Sequence, residues 1–190
     1  MDDQCLQSYP LSELPEATVA EQELVHRLIQ SLDRPEALVD EVIPGHKFVG
    51  VRAGDRMGLA STLGAEPNDE ERALITDVRG QTLQEMARLL LSASPFSLTL
   101  GLAAINAGLD PGPGELDLPA ERLIREIGRD RDVVIVGDFP FIDQIRPVVG
   151  RLHLLELRDI PGCVPRNDWS DTLQACDLAV ITSTAILTRR

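Results

Sequence analysis

Aromatic residues are scarce in this chain, at 3% of 190 positions, with one Trp, one Tyr and four Phe. Its cores must therefore be built mostly from Leu, Ile, Val and Ala. Positive charge is also in deficit: 18 basic residues stand against 31 acidic ones, for a net charge of −13. A surface that negative repels phosphate backbones and anionic lipid, which argues against nucleic acid or membrane partners. There are three cysteines, Cys5, Cys163 and Cys176, widely spaced and with no C-x-x-C pair. An odd, scattered set fits reduced thiols in a cytosol rather than a disulfide framework. No basic N-terminal segment precedes an apolar run, so no signal peptide is expected, and no apolar stretch reaches the length of a membrane span. The expected location is the cytoplasm. Histidine is as rare as cysteine: His26, His46 and His153 fall at no spacing that brings ligands together. A fixed zinc site is not expected, and neither Ser-His-Asp nor Cys-His catalysis has a local signature.

What is present is an ordinary globular composition, 43% hydrophobic and 26% charged, long enough for one large domain or two small ones. Residues 17–32 place Val25, Leu28, Ile29 and Leu32 at helical spacing. Three extended runs follow, at Leu38–Ile43, Lys47–Arg52 and Met57–Ser61, and Ala53-Gly54-Asp55 supplies turn chemistry between the last two. An antiparallel meander is the simplest arrangement. Thr82-Leu-Gln-Glu85 reads as a capping box that opens a helix carrying Leu83, Met86, Ala87 and Leu90. Ser94-Pro95 then restarts the chain, with Ser as N-cap and Pro in the first turn. The following FSLTLGLAAINAGL is apolar nearly all round, which predicts a buried helix.

The segment DPGPGELDLP, residues 110–119, is the best candidate linker, with three Pro and two Gly. Beyond it the pattern becomes strand, helix, strand, helix, strand. Val133–Val136 is a β-branched run typical of a strand covered on both faces, a second strand ends at Glu156, and a third runs over Asp177–Ala185. The expected fold is α/β: a small α+β domain over residues 1–112, then a Rossmann-like parallel βαβαβ half domain over 117–190. The three-stranded sheet reads as truncated at its C-terminal end. A homo-oligomer or a partner that completes it is therefore a candidate.

The first turn of this half, VVIVGDFPFI, has the outline of a dinucleotide-binding unit with one glycine of the three. From Gly137, the positions of the other two hold Phe139 and Ile142. Pro140 removes an N–H that would grip an anion, and Asp138 adds negative charge. These residues argue against conventional NAD binding. The carboxyl ends of the strands still form the usual ligand position in an open α/β sheet. Asp138, Glu156 and the hydroxyl run Thr182, Ser183 and Thr184 should meet there, a set suited to a cation, an amine or a polyhydroxylated molecule. Each also has a plain structural role available: Asp138 as a helix cap, Glu156 as partner of Arg158 or Arg151, the hydroxyls as β-formers. Asn106 is the outlier of the apolar helix, either a C-terminal cap beside Gly108 or a group reaching a cleft between the domains.

Taken in order, KFVGVRAGDRMGLAST, SPFSLTLGLAAINAGL, VVIVGDFPFIDQIR with LLELR, and CDLAVITSTAIL resemble the heavy-metal chelation family, long catalogued as a domain of unknown function. The resemblance runs from about Leu24 to Thr188. It implies an enolase N-terminal-like domain joined to a Rossmann-like domain, with a site in the interdomain cleft handling a heavy metal, a metal-bearing cofactor or another small ligand. By motif it assigns Asn106, Gly137, Phe139, Pro140, Glu156 and Thr182 to that site, to which the strand-end pattern adds Asp138 and Ser183. The family continues with further elements beyond this chain's Arg190 and often has Asn where Thr188 stands. Two other functions stay open: an enzyme, transferase or lyase, acting on a metallocofactor precursor through a carboxylate acid/base, and a partner-dependent structural module.

Overall fold

A computed structural model describes residues 17–110, 112, 118–137, 139–158 and 160–188. The chain divides into two compact units, one holding residues up to 112 together with 186–188, the other most of the remainder.

The first unit opens with α1 (Val19–Gln30), whose Thr18 and Glu21 form a reciprocal capping box and whose Val25 and Ile29 are buried. Three strands follow as the expected meander: β1 (Glu41–Pro44), β2 (Phe48–Ala53) and β3 (Arg56–Ser61), antiparallel with β2 in the centre. Gly54, at φ +62, makes the tight β2–β3 turn that a side chain would strain. Leu38 lies outside β1 and forms an isolated bridge with Thr82. Then come α2 (Asp69–Thr76) and α3 (Leu83–Ala87), which continues as a 3-10 turn to Leu91. The capping box Thr82–Glu85 is formed, with Glu85 N–H donating to the Thr82 hydroxyl at 3.2 Å and Thr82 N–H donating to the Glu85 carboxylate at 2.8 Å.

Helix α4 (Pro95–Gly108) is the centre of this unit. Twelve of its fourteen residues are buried, as its uniform apolarity requires. Pro95 occupies the first turn and Ser94 is the N-cap, but the Ser94 hydroxyl makes no cap bond. It donates instead to Glu71 of α2 at 2.6 Å. Gly58 lets β3 lie backbone to backbone on α4, since a Cβ there would stand 2.0 Å from the Ala103 carbonyl oxygen and 2.2 Å from the Ala107 nitrogen. The core joins α1, the sheet, α3 and α4, and includes the buried ring of Phe96. Leu187, 1% exposed, closes it from the far end of the sequence.

The second unit begins with α5 (Ala120–Ile127) and β4 (Asp132–Val136), followed by α6 (Ile142–Ile145) and β5 (Arg151–Leu155). A 3-10 turn (Arg166–Asp168) then leads into α7 (Trp169–Ala175), β6 (Leu178–Ile181) and α8 (Thr184–Thr188), the last three residues of which belong to the first unit. The sheet order is β5-β4-β6, all parallel, which is the α/β pattern expected. Val133, Val134 and Ile135 are fully buried, as a central strand covered on both faces should be.

Three elements differ from the sequence reading. The helix after β4 is a single turn, because Pro140 and Pro147 bracket the segment and neither can donate within a helix. Strand β5 ends at Leu155, one residue before Glu156. Strand β6 ends at Ile181 rather than Ala185: the Thr184 amide turns toward the Thr182 hydroxyl at 3.4 Å, and the chain enters α8. The interdomain segment expected over 110–119 falls largely outside the described residues.

Candidate functional site

Parallel register brings the predicted rim together. Val136 of β4 pairs with Leu155 of β5 and with Ile181 of β6, so Gly137, Glu156 and Thr182 are the next residues along three adjacent strands. The Gly137 N–H donates to the Leu155 carbonyl at 2.9 Å, and the Thr182 N–H donates to the Val136 carbonyl at 3.2 Å. Gly137 has φ +103, a conformation open to glycine, and a Cβ there would meet the Thr182 Cγ2 at 2.8 Å and the Phe139 ring at 3.9 Å. The glycine of VGDFP thus serves close approach of Thr182 to the turn. Phe139 stacks on Phe141 with ring centroids 5.1 Å apart, and Pro140 beside them is exposed. Bulk occupies the positions where a dinucleotide fingerprint has bare backbone.

Glu156 is turned onto its own loop. Its Oε1 accepts from the Leu157 N–H at 2.7 Å and the Arg158 N–H at 3.1 Å, and its Oε2 lies 3.3 Å from the Arg158 guanidinium. The side chain is 7% exposed. Of the two partners its surroundings offered, Arg158 is the one it takes; Arg151 pairs with Asp132 at the opposite end of the sheet. Thr182 and Thr184 share a hydroxyl–hydroxyl bond of 3.0 Å, while Ser183 between them is exposed.

Asp138, expected at this rim, lies outside the described residues, as does Cys5. Asn106 belongs to the first unit. It is exposed rather than buried, and it is not a cap for Gly108: its Nδ2 donates to the Leu59 carbonyl at 2.8 Å, tying α4 to the edge strand β3. Among the described residues, no three His, Cys, Asp or Glu side chains are grouped as a metal site. Cys176 donates to the Leu173 carbonyl at 3.2 Å, and the His26 Nδ1 donates to the Gln22 carbonyl within α1 at 2.7 Å. Among the described residues the donors at the rim do not fit a bare ion: two backbone amides and a guanidinium already engage the Glu156 carboxylate, and its neighbours are weakly donating hydroxyls.

Two features of the first unit escaped the sequence reading. Glu71, 5% exposed, receives the hydroxyls of Ser94 and Ser97 at 2.6 and 2.5 Å. Its signal was the run Asn68-Asp-Glu-Glu71, a capping box, but the serines are 23 and 26 residues away. A cleft of about 250 Å³ also opens among Pro44, His46, Glu66, Arg72 and Phe96.

These features define an α/β protein with an antiparallel-sheet unit and a parallel-sheet unit whose strand ends gather polar side chains and an aromatic pair. The chain belongs to the families DUF4213 and DUF364: residues 25–109 match the first and residues 121–190 the second, each described as "Putative heavy-metal chelation". Two solved structures share the fold, both of proteins of unknown function from the DUF364 family. That from Desulfitobacterium hafniense is 22% identical with a TM-score of 0.71, covering 90% of this chain and 72% of its own. That from Pyrococcus horikoshii is 17% identical with a TM-score of 0.55, covering 88% and 68%. No curated protein matches the sequence. Among the described residues no helix is long and apolar enough to cross a membrane.

Proposed function

We propose that the second unit binds a metal within an organic complex, rather than a bare ion, at the rim formed by Gly137, Phe139, Pro140, Glu156, Thr182 and Ser183. The carrying observation is that the Leu157 and Arg158 amides and the Arg158 guanidinium already engage the Glu156 carboxylate, so it orders the loop instead of presenting a free ligand. The stacked Phe139 and Phe141 supply a flat apolar surface for an organic moiety. The exposed Ser183 and the Thr182–Thr184 pair supply hydrogen bonds for its polar edge. The family description supports the metal, and the side chains support the organic part. The same engagement disfavours Glu156 as the general base of an enzyme, since such a base needs an oxygen free to accept the substrate proton.

Calorimetric titration of the full chain with zinc chloride and with zinc protoporphyrin tests this. The complex should bind saturably and the free ion should not. Phe139→Ala should weaken the complex roughly 3- to 10-fold, the value of one aromatic contact. One-to-one binding of free zinc, unaltered by Phe139→Ala, would overturn the assignment.

A further inference from the structure

We infer that the outer face of the β1-β2-β3 sheet is a self-association surface that docks the same face of a second copy of this chain. The register puts Glu41 and Ile43 of β1, Phe48, Gly50 and Arg52 of β2, and Met57, Leu59 and Ser61 of β3 on one face. Their neighbours Val42, Val49, Val51 and Ala60 point the other way, into the core. Strand alternation should place polar residues outward on a solvated sheet. Here Ile43, Phe48, Met57 and Leu59 stand 42, 56, 49 and 55% exposed.

These side chains form one patch. At Gly50 a Cβ would meet Leu59 Cδ2 at 3.3 Å and Ile43 Cβ and Met57 Sδ at 3.7 Å, so the three close over the central strand from both sides. The exposed apolar area is on the order of 400 Å², the size of the largest patch on a typical monomer, which is often a functional one. Two such faces with their rims reach the low end of the area a specific interface buries, about 1,200 Å² in total.

Charge selects the partner. The face carries one acid and one base, Glu41 and Arg52, paired at 3.4 Å, with Asp40 at its edge 3.3 Å from the same guanidinium, so its charges are partnered on a chain of net charge −13. A basic partner would seek the acidic surface elsewhere. Two copies repel each other everywhere except where charge is missing or partnered, and this face is such a place. A two-fold axis crossing the strands near Gly50 sets Leu59 on Leu59 and Ile43 on Ile43. It also lays each Phe48 ring over Arg52 of the other copy, a cation–π pair.

Light scattering after size exclusion, on the full chain over a wide concentration range, gives the mass directly. The expected value at high concentration is twice the 20.8 kDa of one chain. Added sodium chloride should strengthen the dimer, because it screens the like charges and leaves apolar contact intact. Leu59→Lys should return the mass to a single chain with the circular dichroism unchanged, and Met57→Lys serves if that variant misfolds. Leu123→Lys on α5 should remain dimeric. A monomer at every concentration, a Leu59→Lys dimer, or a dimer dissolved by salt would each overturn the proposal. So would a monomer whose β2 and β3 amides resist hydrogen exchange until its first 16 residues are removed, since the chain would then cover the face itself.

Discussion

Glu71 shows how a buried charge can hold a fold. Burial opposes its ionisation, but the Ser94 and Ser97 hydroxyls and the Asn68 amide outweigh that cost and hold the carboxyl below its ordinary value of 4.5. The same carboxylate completes the Asn68 capping box, so one side chain closes the start of α2 and clasps the start of α4. Because the folded-state value lies below the unfolded one, this stabilisation is complete above about pH 4.5 and is lost as pH falls through the folded value. Glu71→Gln keeps the box, since Gln serves at that position, but removes the charge. It should lower stability by about 2 kcal/mol in urea unfolding at neutral pH. The gap from the native chain should close in acid, where the native carboxyl is protonated too. Parallel loss in both proteins would show that another group titrates.

Where β3 crosses α4, the contact is between backbones, and two residues make it possible. Gly58 removes the Cβ that would collide with Ala103, Asn106 and Ala107. Asn106 then satisfies the outward Leu59 carbonyl of an edge strand. Gly58→Ala should cost more than about 3 kcal/mol, because the atoms it would meet are helix backbone atoms that cannot yield separately. Asn106→Ala should cost about 1 kcal/mol, one hydrogen bond. Thermal unfolding of both variants checks that order, and equal effects would refute the close-approach account. The meander, α4 and β4 were legible because each has a single strong local signal: alternation with a Gly turn, uniform apolarity, a β-branched run. Ser94 is the N-cap as its sequence indicates, but the partner of its hydroxyl is not legible there, because a local cap and a distant carboxylate compete for it and the sequence displays only the local one. Asn106 is a like case: only the cap beside Gly108 has a local signal, whereas its bond to the Leu59 carbonyl depends on which edge strand lies beside the helix. The rim was legible in part. Period and spacing locate Gly137, Glu156 and Thr182 at strand ends, whereas the inward closure of Glu156 on Arg158 depends on loop geometry that follows the strand.

At the scale of the molecule, sequence order and packing part company at the C-terminal end. The second core gathers Ile124, Val133, Ile135, Ile145 and Val149, and its sequence is continuous. The first is not, since Leu187 and Ile186 pack with residues more than seventy positions earlier. A leucine that is 1% exposed leaves a void when shortened, and Leu187→Ala should cost about 2–5 kcal/mol. That loss belongs to the first unit, although the residue follows every strand of the second. Hydrogen exchange resolves the two. Amides of α4 and β2 should exchange faster in the variant, while those of β4, whose Val133, Val134 and Ile135 lie in the other unit, should keep their native protection. Faster exchange confined to β4 would show that Leu187 supports the second unit instead. Uniform acceleration would mean that the two cores unfold as one cooperative body, in which case no variant of either could be assigned to its own unit by stability alone.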